Sequence, residues 1–287
     1  MKVTPLCFEC VLKQARTTAL YVTKDEEKIA LILKETAKRI SQSPTDISPA
    51  EFSMAAYDAV RDLTEVSDPY KEQKARFNEI ALSLYPQLKK LVESSSDPFH
   101  TASLLAAAGN VIDLGIGINV DLEQEIGRVL RGGFKIDHVG RFRQEISHAR
   151  SLVYCFDNAG EIVFDRLFIE QILKVSPSLQ VVGLVKGGPI INDATLEDAK
   201  IAGLTDLIEV TDIGPAAIGV PISRVKPEVC ALVTRSDVLL GKGQGNFETL
   251  DSVRRGFYAV LKAKCPSVAS ALGVGEGQVV FMKRETG

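Results

Sequence analysis

The side chains best suited to chemistry stand in the segments that follow apolar, strand-like runs. The run 152–156 ends at Asp157 and Asn158, and the run 181–185 is followed by Asp193. Carboxylate and amide oxygens are the ligands that hard divalent cations such as Mg²⁺ and Mn²⁺ take from proteins. The sequence therefore predicts that Asp157, Asn158 and Asp193 hold one such cation.

Lysines near strand ends could supply the positive charge that a bound phosphate needs. Lys186, Lys242 and Lys262 each end or follow an apolar run, and the alternative for each is a solvated surface position. We favour the phosphate role for Lys242 and Lys262 over Lys186. Glycines after Lys242 would let the backbone approach a ligand closely. The predicted substrate contacts in these segments are Lys186, Lys242, Gly243, Gly245 and Asn246.

Two further polar residues interrupt an apolar helical stretch at 106–114. Asn110 and Asp113 are three residues apart, so they share one face of a helix. Because buried polar groups need partners, they either complete neighbouring helix ends or face the site. We favour the second interpretation and predict that both face the site.

Each of these features also has a purely structural interpretation. Asp and Asn favour turns and helix N-caps, which would explain Asp157, Asn158 and Asp193 without any ligand. The glycine segment 241–245 lacks the spacing of a dinucleotide-binding loop. The prediction of a site rests on convergence, since ligands gather beyond the carboxyl ends of parallel strands.

The elements that must position these residues change character near residue 150. Residues 1–150 show helical periodicity, and Pro86 is expected to kink or end the helix that begins at Pro69. Helix-start signals stand at Ser48-Pro49, Asp68-Pro69 and Asp97-Pro98. From 151 to 287, short β-rich runs alternate with helix-length stretches. We predict an α/β fold, with a helical domain at 1–150 and a Rossmann-like domain with a mainly parallel sheet at 151–287.

The net charge and the lengths of the apolar runs argue against nucleic-acid and membrane partners. The formal net charge of -3 lacks the basic excess typical of nucleic-acid binding. No signal segment opens the chain, and no apolar run approaches the roughly 18 residues that span a bilayer. We therefore expect a cytoplasmic protein with a small-molecule partner and neither nucleic acid nor membrane.

The pair Cys7 and Cys10 stands apart from the oxygen ligands. Five cysteines in 287 residues do not suggest a disulfide framework. The C-x-x-C pair could bind a second, softer metal, act as a redox pair, or pack as small apolar side chains. No second C-x-x-C completes a zinc site, so Cys155, Cys230 or Cys265 would contribute only if the fold brings one of them close.

Taken together, several segments resemble the damage-control phosphatase family over nearly the whole chain, and the C-x-x-C resembles its compact microbial subfamily. The segments are Cys7-Phe8-Glu9-Cys10, Gly109-Asn110-Val111-Ile112-Asp113, Phe156-Asp157-Asn158-Ala159-Gly160-Glu161, Lys186-Gly187-Gly188-Pro189 with Asn192-Asp193, and Gly241-Lys242-Gly243-Gln244-Gly245-Asn246. The resemblance implies a helical N-terminal part on a Rossmann-like core and a metal-dependent phosphatase acting on small phosphorylated metabolites.

The resemblance also implies roles for individual residues. Mg, Mn, Co or Ni would be held by Asp157, Asn158 and Asp193, while Lys262 would hold the phosphate. Asn110 and Asp113 would contact substrate or water at the metal. Some relatives carry R-T-x-K at the last site, where Ala259-Val260-Leu261-Lys262 keeps only the lysine. Substrate preferences of those relatives are therefore not transferred.

Other functions stay open at this point. A carboxyl methyltransferase would need a nucleotide-binding glycine loop after the first strand, where this chain has Asp157-Asn158-Ala159-Gly160. A non-catalytic phosphometabolite-binding or redox-sensing module built on the C-x-x-C is a further alternative. Phosphatases that use an aspartyl nucleophile carry D-x-D, so attack by water is favoured here. The physiological substrate and the oligomeric state are not predicted.

Overall fold

The first part of the chain is helical. The computed structural model describes residues 1–109, 122–253 and 255–285. Its first helices are α1 (Pro5–Val22), α2 (Glu26–Gln42), α3 (Pro49–Thr64), α4 (Lys71–Ser94), α5 (Pro98–Gly109) and α6 (Leu122–Gly132). The periodic stripe of α2 buries Ile32, Thr36 and Ile40 in a core shared with α1 and α3.

Helix starts follow the capping signals of the sequence. The Ser48 hydroxyl accepts a hydrogen bond from the Glu51 amide, with Pro49 as the first residue of α3, so this predicted start is confirmed. The start of α5 at Pro98 is confirmed as well. The start predicted at Pro69 was two residues early, because Asp68 caps Tyr70 and α4 begins at Lys71. The helix does not end at Pro86, since α4 continues through it to Ser94, and the alternative of a kink at Pro86 stays a prediction.

The second part alternates strands and helices. Its elements are β1 (Ile136–Asp137), α7 (Val139–His148), β2 (Ser151–Cys155), α8 (Glu161–Val175), β3 (Gln180–Val185), α9 (Leu196–Ile201), β4 (Glu209–Asp212), α10 (Pro227–Arg235), β5 (Val238–Lys242), α11 (Gly243–Leu250), β6 (Phe257–Lys262), α12 (Pro266–Leu272) and β7 (Val279–Arg284). The two-residue strand β1 falls inside the span predicted to be helical. The proposed domain boundary at residue 150 stays a prediction.

Within the described residues, the strands form one seven-stranded sheet in the order β1-β7-β6-β5-β2-β3-β4. All neighbouring strands are parallel except β6 and β7, which are antiparallel. The predicted α/β class with a mainly parallel sheet is therefore confirmed. Successive residues of β2 enter opposite cores, with Tyr154 on one face and Cys155 on the other, as expected for a sheet covered on both faces.

The direction of chain winding reverses between β2 and β5. From β2 the chain adds β3 and β4 on one side, whereas β5 and β6 extend the sheet on the other side. In sheets of this kind the connections leave a crevice beyond the carboxyl ends of the two central strands. We call this place, with the loops that follow β2, β3 and β5, the strand-end crevice. Among the described residues, no helix is both long and apolar enough to cross a membrane.

Candidate functional site

The loops after β2 and β3 are joined side by side in the strand-end crevice. The Ala194 amide donates a 2.7 Å hydrogen bond to the Asp157 carbonyl, and Asn158 and Asp193 form an isolated antiparallel bridge. These contacts bring together Asp157, Asn158 and Asp193, which the sequence predicts as oxygen ligands. The assignment of a cation to them stays a prediction.

Asp193 is a buried carboxylate with little compensation. Its exposed fraction is 1%, and neither carboxylate oxygen accepts a hydrogen bond from any described residue. The nearest cation is the Lys186 ammonium, 3.6 Å from Asp193 Oδ2, which is too long for a hydrogen bond. Burial raises the pKa of Asp193 to about 8 despite the Lys186 charge, and the negative charge of Asp157 adds to the effect.

Asp157 shares this environment. Burial and the Glu161 carboxylate raise the pKa of Asp157 to about 6, against the opposing charges of Lys264 and Lys186. Two buried carboxylates that destabilise each other's ionised form favour a bound cation, because a nearby positive charge stabilises both. Oxygen donors suit a hard divalent ion, so the residues present fit the metal that the sequence predicts.

Gly243 leaves room for the Asp157 carboxylate. It begins α11 with φ 76°, and a Cβ at this position would lie 1.9 Å from Asp157 Oδ2. Any side chain there would collide with the carboxylate. Gly245 has a different neighbour, since its Cβ would lie 2.6 Å from Ile218 Cγ2. The second glycine thus permits packing between α11 and the loop 213–220.

Lys242 does not lie where a phosphate could reach it easily. It is fully buried, and its ammonium donates hydrogen bonds to Ala106 O at 2.8 Å, Glu161 Oε1 at 2.7 Å and Asp165 Oδ1 at 2.7 Å. A lysine ammonium has only these three hydrogens to donate. The geometry therefore disfavours the predicted phosphate contact and points to a role inside the protein.

Lys186 and Asn246 also have internal partners. The buried Lys186 ammonium donates to Gly219 O at 2.9 Å and to Asn246 Oδ1 at 3.2 Å. Asn246 in turn donates from Nδ2 to Lys242 O at 2.7 Å and to Phe156 O at 2.9 Å. Asn246 thus ties the end of β5 to the end of β2. The Lys186 ammonium and the Asn246 amide, which the sequence assigned to substrate, thus form hydrogen bonds within the protein.

The lysines after β6 are more accessible. Lys262 is the last residue of β6 and is half-buried, whereas Lys264 is exposed. The Lys264 charge is among those that lower the pKa of Asp157, so it acts on the predicted ligand set. Sequence reasoning missed Lys264. The available signal was a second lysine two positions beyond the strand-end lysine.

A helix from the first part of the chain also contacts the loop after β2. Asn78 of α4 accepts a 2.7 Å hydrogen bond from the Gly160 amide through Oδ1, and its Nδ2 donates to Asp198 Oδ1 at 2.8 Å. Asp198 is paired with the buried Lys74 at 2.9 Å. These residues carry no motif in the sequence, so only the fold reveals that α4 supports the loop after β2.

Asn110 and Asp113 lie outside the described residues, and their predicted contact with substrate stays a prediction. The preceding residue Gly109 ends α5 against the site, because a Cβ there would lie 2.9 Å from Glu161 Cγ.

Thiols gather at the start of α1. Cys7 is half-buried and Cys10 is exposed. Although the Cys10 side chain is exposed, desolvation by the surrounding protein raises its pKa, against the opposing effect of a 3.3 Å hydrogen bond from Gln14. Cys265, from the second part of the chain, contributes to the raised pKa of Cys10 through its charge. We call Cys7, Cys10 and Cys265 the thiol corner.

The contacts of the thiol corner are weak ones. Thr4 Oγ1 lies 3.4 Å from Cys7 Sγ and 3.1 Å from Ser267 Oγ, and Gln244 Nε2 lies 3.7 Å from Cys265 Sγ. Across the described ranges, no three His, Cys, Asp or Glu side chains are arranged to hold a metal ion. A soft metal or a redox role for Cys7 and Cys10 stays a prediction.

Known proteins are similar to this chain over nearly its full length. The family model described as "Damage-control phosphatase ARMT1-like domain" matches residues 3–280. A damage-control phosphatase of Archaeoglobus fulgidus is 35% identical over 288 residues, covering 98% of this chain and 98% of that protein. A damage-control phosphatase of Pyrococcus horikoshii is 35% identical over 291 residues, covering 99% of each. An uncharacterized protein of Methanocaldococcus jannaschii is 32% identical over 294 residues, covering 99% of this chain and 96% of that protein.

A solved structure has the same fold. The crystal structure of a DUF89 family protein from Pyrococcus horikoshii matches with a TM-score of 0.92 and 34% sequence identity. The match covers 99% of this chain and 100% of that chain. Since both the family match and the similar proteins extend over nearly its full length, the chain belongs to the damage-control phosphatase ARMT1-like family.

Proposed function

We propose that the protein hydrolyses phosphate monoesters of small, damaged metabolites with a divalent cation held by Asp157, Asn158 and Asp193. The observation that carries the proposal is the Asp193 carboxylate, which is buried and accepts no hydrogen bond from the described residues. The names of the relatives from A. fulgidus and P. horikoshii support the reaction class.

The charge balance of the site favours a cation. A buried carboxylate without close compensation costs several kcal/mol, and the cation nearest to Asp193 among the described residues is the Lys186 ammonium at 3.6 Å. Asp157 and Asp193 together bring two negative charges when ionised, and Asn158 adds a neutral oxygen. When bound, Mg, Mn, Co or Ni would supply positive charge that offsets the charge developing on a phosphoryl group.

The chain's own residues would divide the remaining work. Lys262 ends β6, the strand next to β5, and Lys264 follows it, so both can place positive charge on a substrate phosphate in the strand-end crevice. Asn110 and Asp113 would contact the rest of the substrate. Water would attack phosphorus, releasing the alcohol and inorganic phosphate.

The winding reversal between β2 and β5 suits a Rossmann-like core, in which ligands bind at that point. The crevice presents carboxylates where a methyltransferase would need an open nucleotide-binding glycine loop, and this favours phosphate chemistry over methyl transfer. Membership of the compact microbial subfamily with C-x-x-C is part of the same proposal.

The test is phosphate release from a panel of phosphorylated metabolites, using chelator-treated protein with and without each added metal. We expect turnover of at least one phosphate ester only with metal, and its loss in Asp193→Asn. Asp237→Asn is the matched control, because Asp237 is an exposed carboxylate that accepts from Arg150 and Ser151 at the opposite ends of the strands. Undiminished hydrolysis by metal-free protein would overturn the proposal.

A further inference from the structure

We propose that Glu161 and Lys242 are positioning residues that fix the orientation of the Asn158 amide and leave its oxygen as the ligand atom. This inference rests on the proposed function, because it concerns the same cation site. It assigns work to a lysine that the sequence associated with phosphate.

The amide of Asn158 stands between two carboxylates. Its Nδ2 donates to Asp157 Oδ2 at 2.9 Å and to Glu161 Oε2 at 3.0 Å. An amide nitrogen has two hydrogens, and both are used here. If the amide were turned end for end, its oxygen would face carboxylate oxygens that cannot donate. The flanking carboxylates therefore direct Oδ1 away from themselves.

Glu161 can do this only if its own carboxylate is held in place. Its second oxygen, Oε1, accepts a 2.7 Å hydrogen bond from the Lys242 ammonium, and the residue is 3% exposed. One carboxylate thus bridges Lys242 and Asn158. The charge-assisted bond is stronger and shorter than a neutral one, so it restricts the Glu161 rotamer.

Lys242 is itself fixed from three directions. Besides Glu161, its ammonium donates to Ala106 O of α5 and to Asp165 Oδ1 of α8. Asp165 Oδ1 also accepts a 2.7 Å hydrogen bond from the Tyr154 hydroxyl. The cost of burying the ammonium is offset by these contacts, and moving it would leave buried charges unpaired.

Lys242 and Gly243 together link this network to Asp157, a second predicted ligand. Gly243 follows Lys242 in the chain and lies against the Asp157 carboxylate. The end of β5 therefore sets both Asp157, by close contact, and Asn158, through Glu161. A site arranged in this way needs little reorganisation when a cation binds.

The experiment measures Mn²⁺ affinity by calorimetry, independently of turnover, in wild type, Glu161→Gln, Asn158→Asp and the double variant. Lys242 and Asn158 donate to different oxygens of Glu161, so in the same rotamer the NH₂ group of the introduced glutamine would face one of these two donors. We expect Glu161→Gln to raise the Mn²⁺ dissociation constant about 10- to 100-fold in the presence of Asn158. In the Asn158→Asp background the same glutamine can donate to the new carboxylate. We expect a loss about tenfold smaller there.

The comparison between backgrounds separates positioning from simple charge. Removing one negative charge would weaken Mn²⁺ binding equally in both backgrounds, and equal ratios would overturn the proposal. Lys242→Met should weaken binding as well, and the Glu161 variants decide the question if that protein does not fold. Lys283→Met is the control, because it removes a 2.8 Å contact with Glu145 of α7, a pair outside the network of Lys242, Glu161 and Asn158, and it should keep wild-type affinity. Absence of Mn²⁺ binding to wild type would instead contradict the proposed function itself.

Discussion

The strand-end crevice and the thiol corner both gather side chains that can do chemistry, but their surroundings differ. In the crevice, Asp193 is buried without a hydrogen bond from the described residues, and the buried Lys242 ammonium makes three short contacts with Ala106, Glu161 and Asp165. In the thiol corner, Cys10 is exposed and its hydrogen-bond donor is Gln14. Because the side chains of the crevice are buried and contact one another, changing one of them should have a large effect on metal binding or stability. The thiol corner is recognised mainly by the spacing of its cysteines in the sequence, so we expect smaller effects there.

The largest expected effect is that of Asp193→Asn. Asparagine keeps the shape but removes one of two charges from the cation site. We expect turnover at limiting metal to fall on the order of 100-fold or more, with partial recovery at high metal concentration. Calorimetric metal titration beside steady-state kinetics measures both effects. Wild-type affinity and rate in this variant would show that Asp193 is only a structural carboxylate.

Gly243→Ala should damage the same region through sterics. The new Cβ would stand 1.9 Å from Asp157 Oδ2, on a backbone with φ 76°. We expect a stability loss of about 1 to 3 kcal/mol together with weaker metal binding. The matched control is Gly277→Ala, at φ 84° with no atom within 4 Å of the Cβ position. The control bears only the backbone cost, so equal metal affinity in both variants would refute the steric argument.

The sequence predicted some of these features and not others. The runs that became β2, β3 and β5 were visible because apolar β-rich stretches end at polar tips, and this placed Asp157 and Asp193 at strand ends. Strand pairing was not visible, since it depends on contacts between distant segments. Lys242 shows the limit most clearly. A lysine at a strand end has the same appearance in a sequence whether its ammonium faces a substrate or is buried among carboxylates.

The helical support was also hidden. Asn78 contacts Gly160 across a separation of 82 residues, and nothing near Asn78 in sequence announces this. Capping signals were reliable at Ser48 because they act within one turn. Local rules thus succeeded where the partners are neighbours in sequence.

For Glu248, beside the thiol corner, we expect an effect of intermediate size on the pH dependence of stability. Burial raises the pKa of Glu248 from 4.5 to about 7, although a hydrogen bond from Gln244 opposes this. Between these pH values the folded protein binds more protons than the unfolded chain. Stability from this residue is therefore lost as the pH rises from about 4.5 to 7, by at most about 1.4 kcal/mol per pH unit.

Glu248→Gln should remove this dependence. Urea unfolding at pH 5 and pH 8 compares the variant with wild type, and we expect the variant to gain stability relative to wild type at the higher pH. Glu9→Gln, at an exposed position of α1, serves as the control. Parallel pH dependence of wild type and Glu248→Gln would show that Glu248 is ionised in the folded protein throughout this range.

The smallest effect is expected from changing Cys7 and Cys10 together to serine. Cys10 is exposed, and Cys7 is half-buried at the edge of the core of α1 to α3 with weak 3.4 Å hydrogen-bond contacts to Thr4, so neither change removes a strong interaction. We expect a stability loss of about 1 kcal/mol or less, with metal-dependent turnover retained. Thermal unfolding and kinetics of the double variant test this, and Cys230→Ser on α10 is the matched control for a half-buried thiol elsewhere. Complete loss of turnover with an unchanged melting temperature would place the thiol corner in the active site, and the contrast between the two regions would fail.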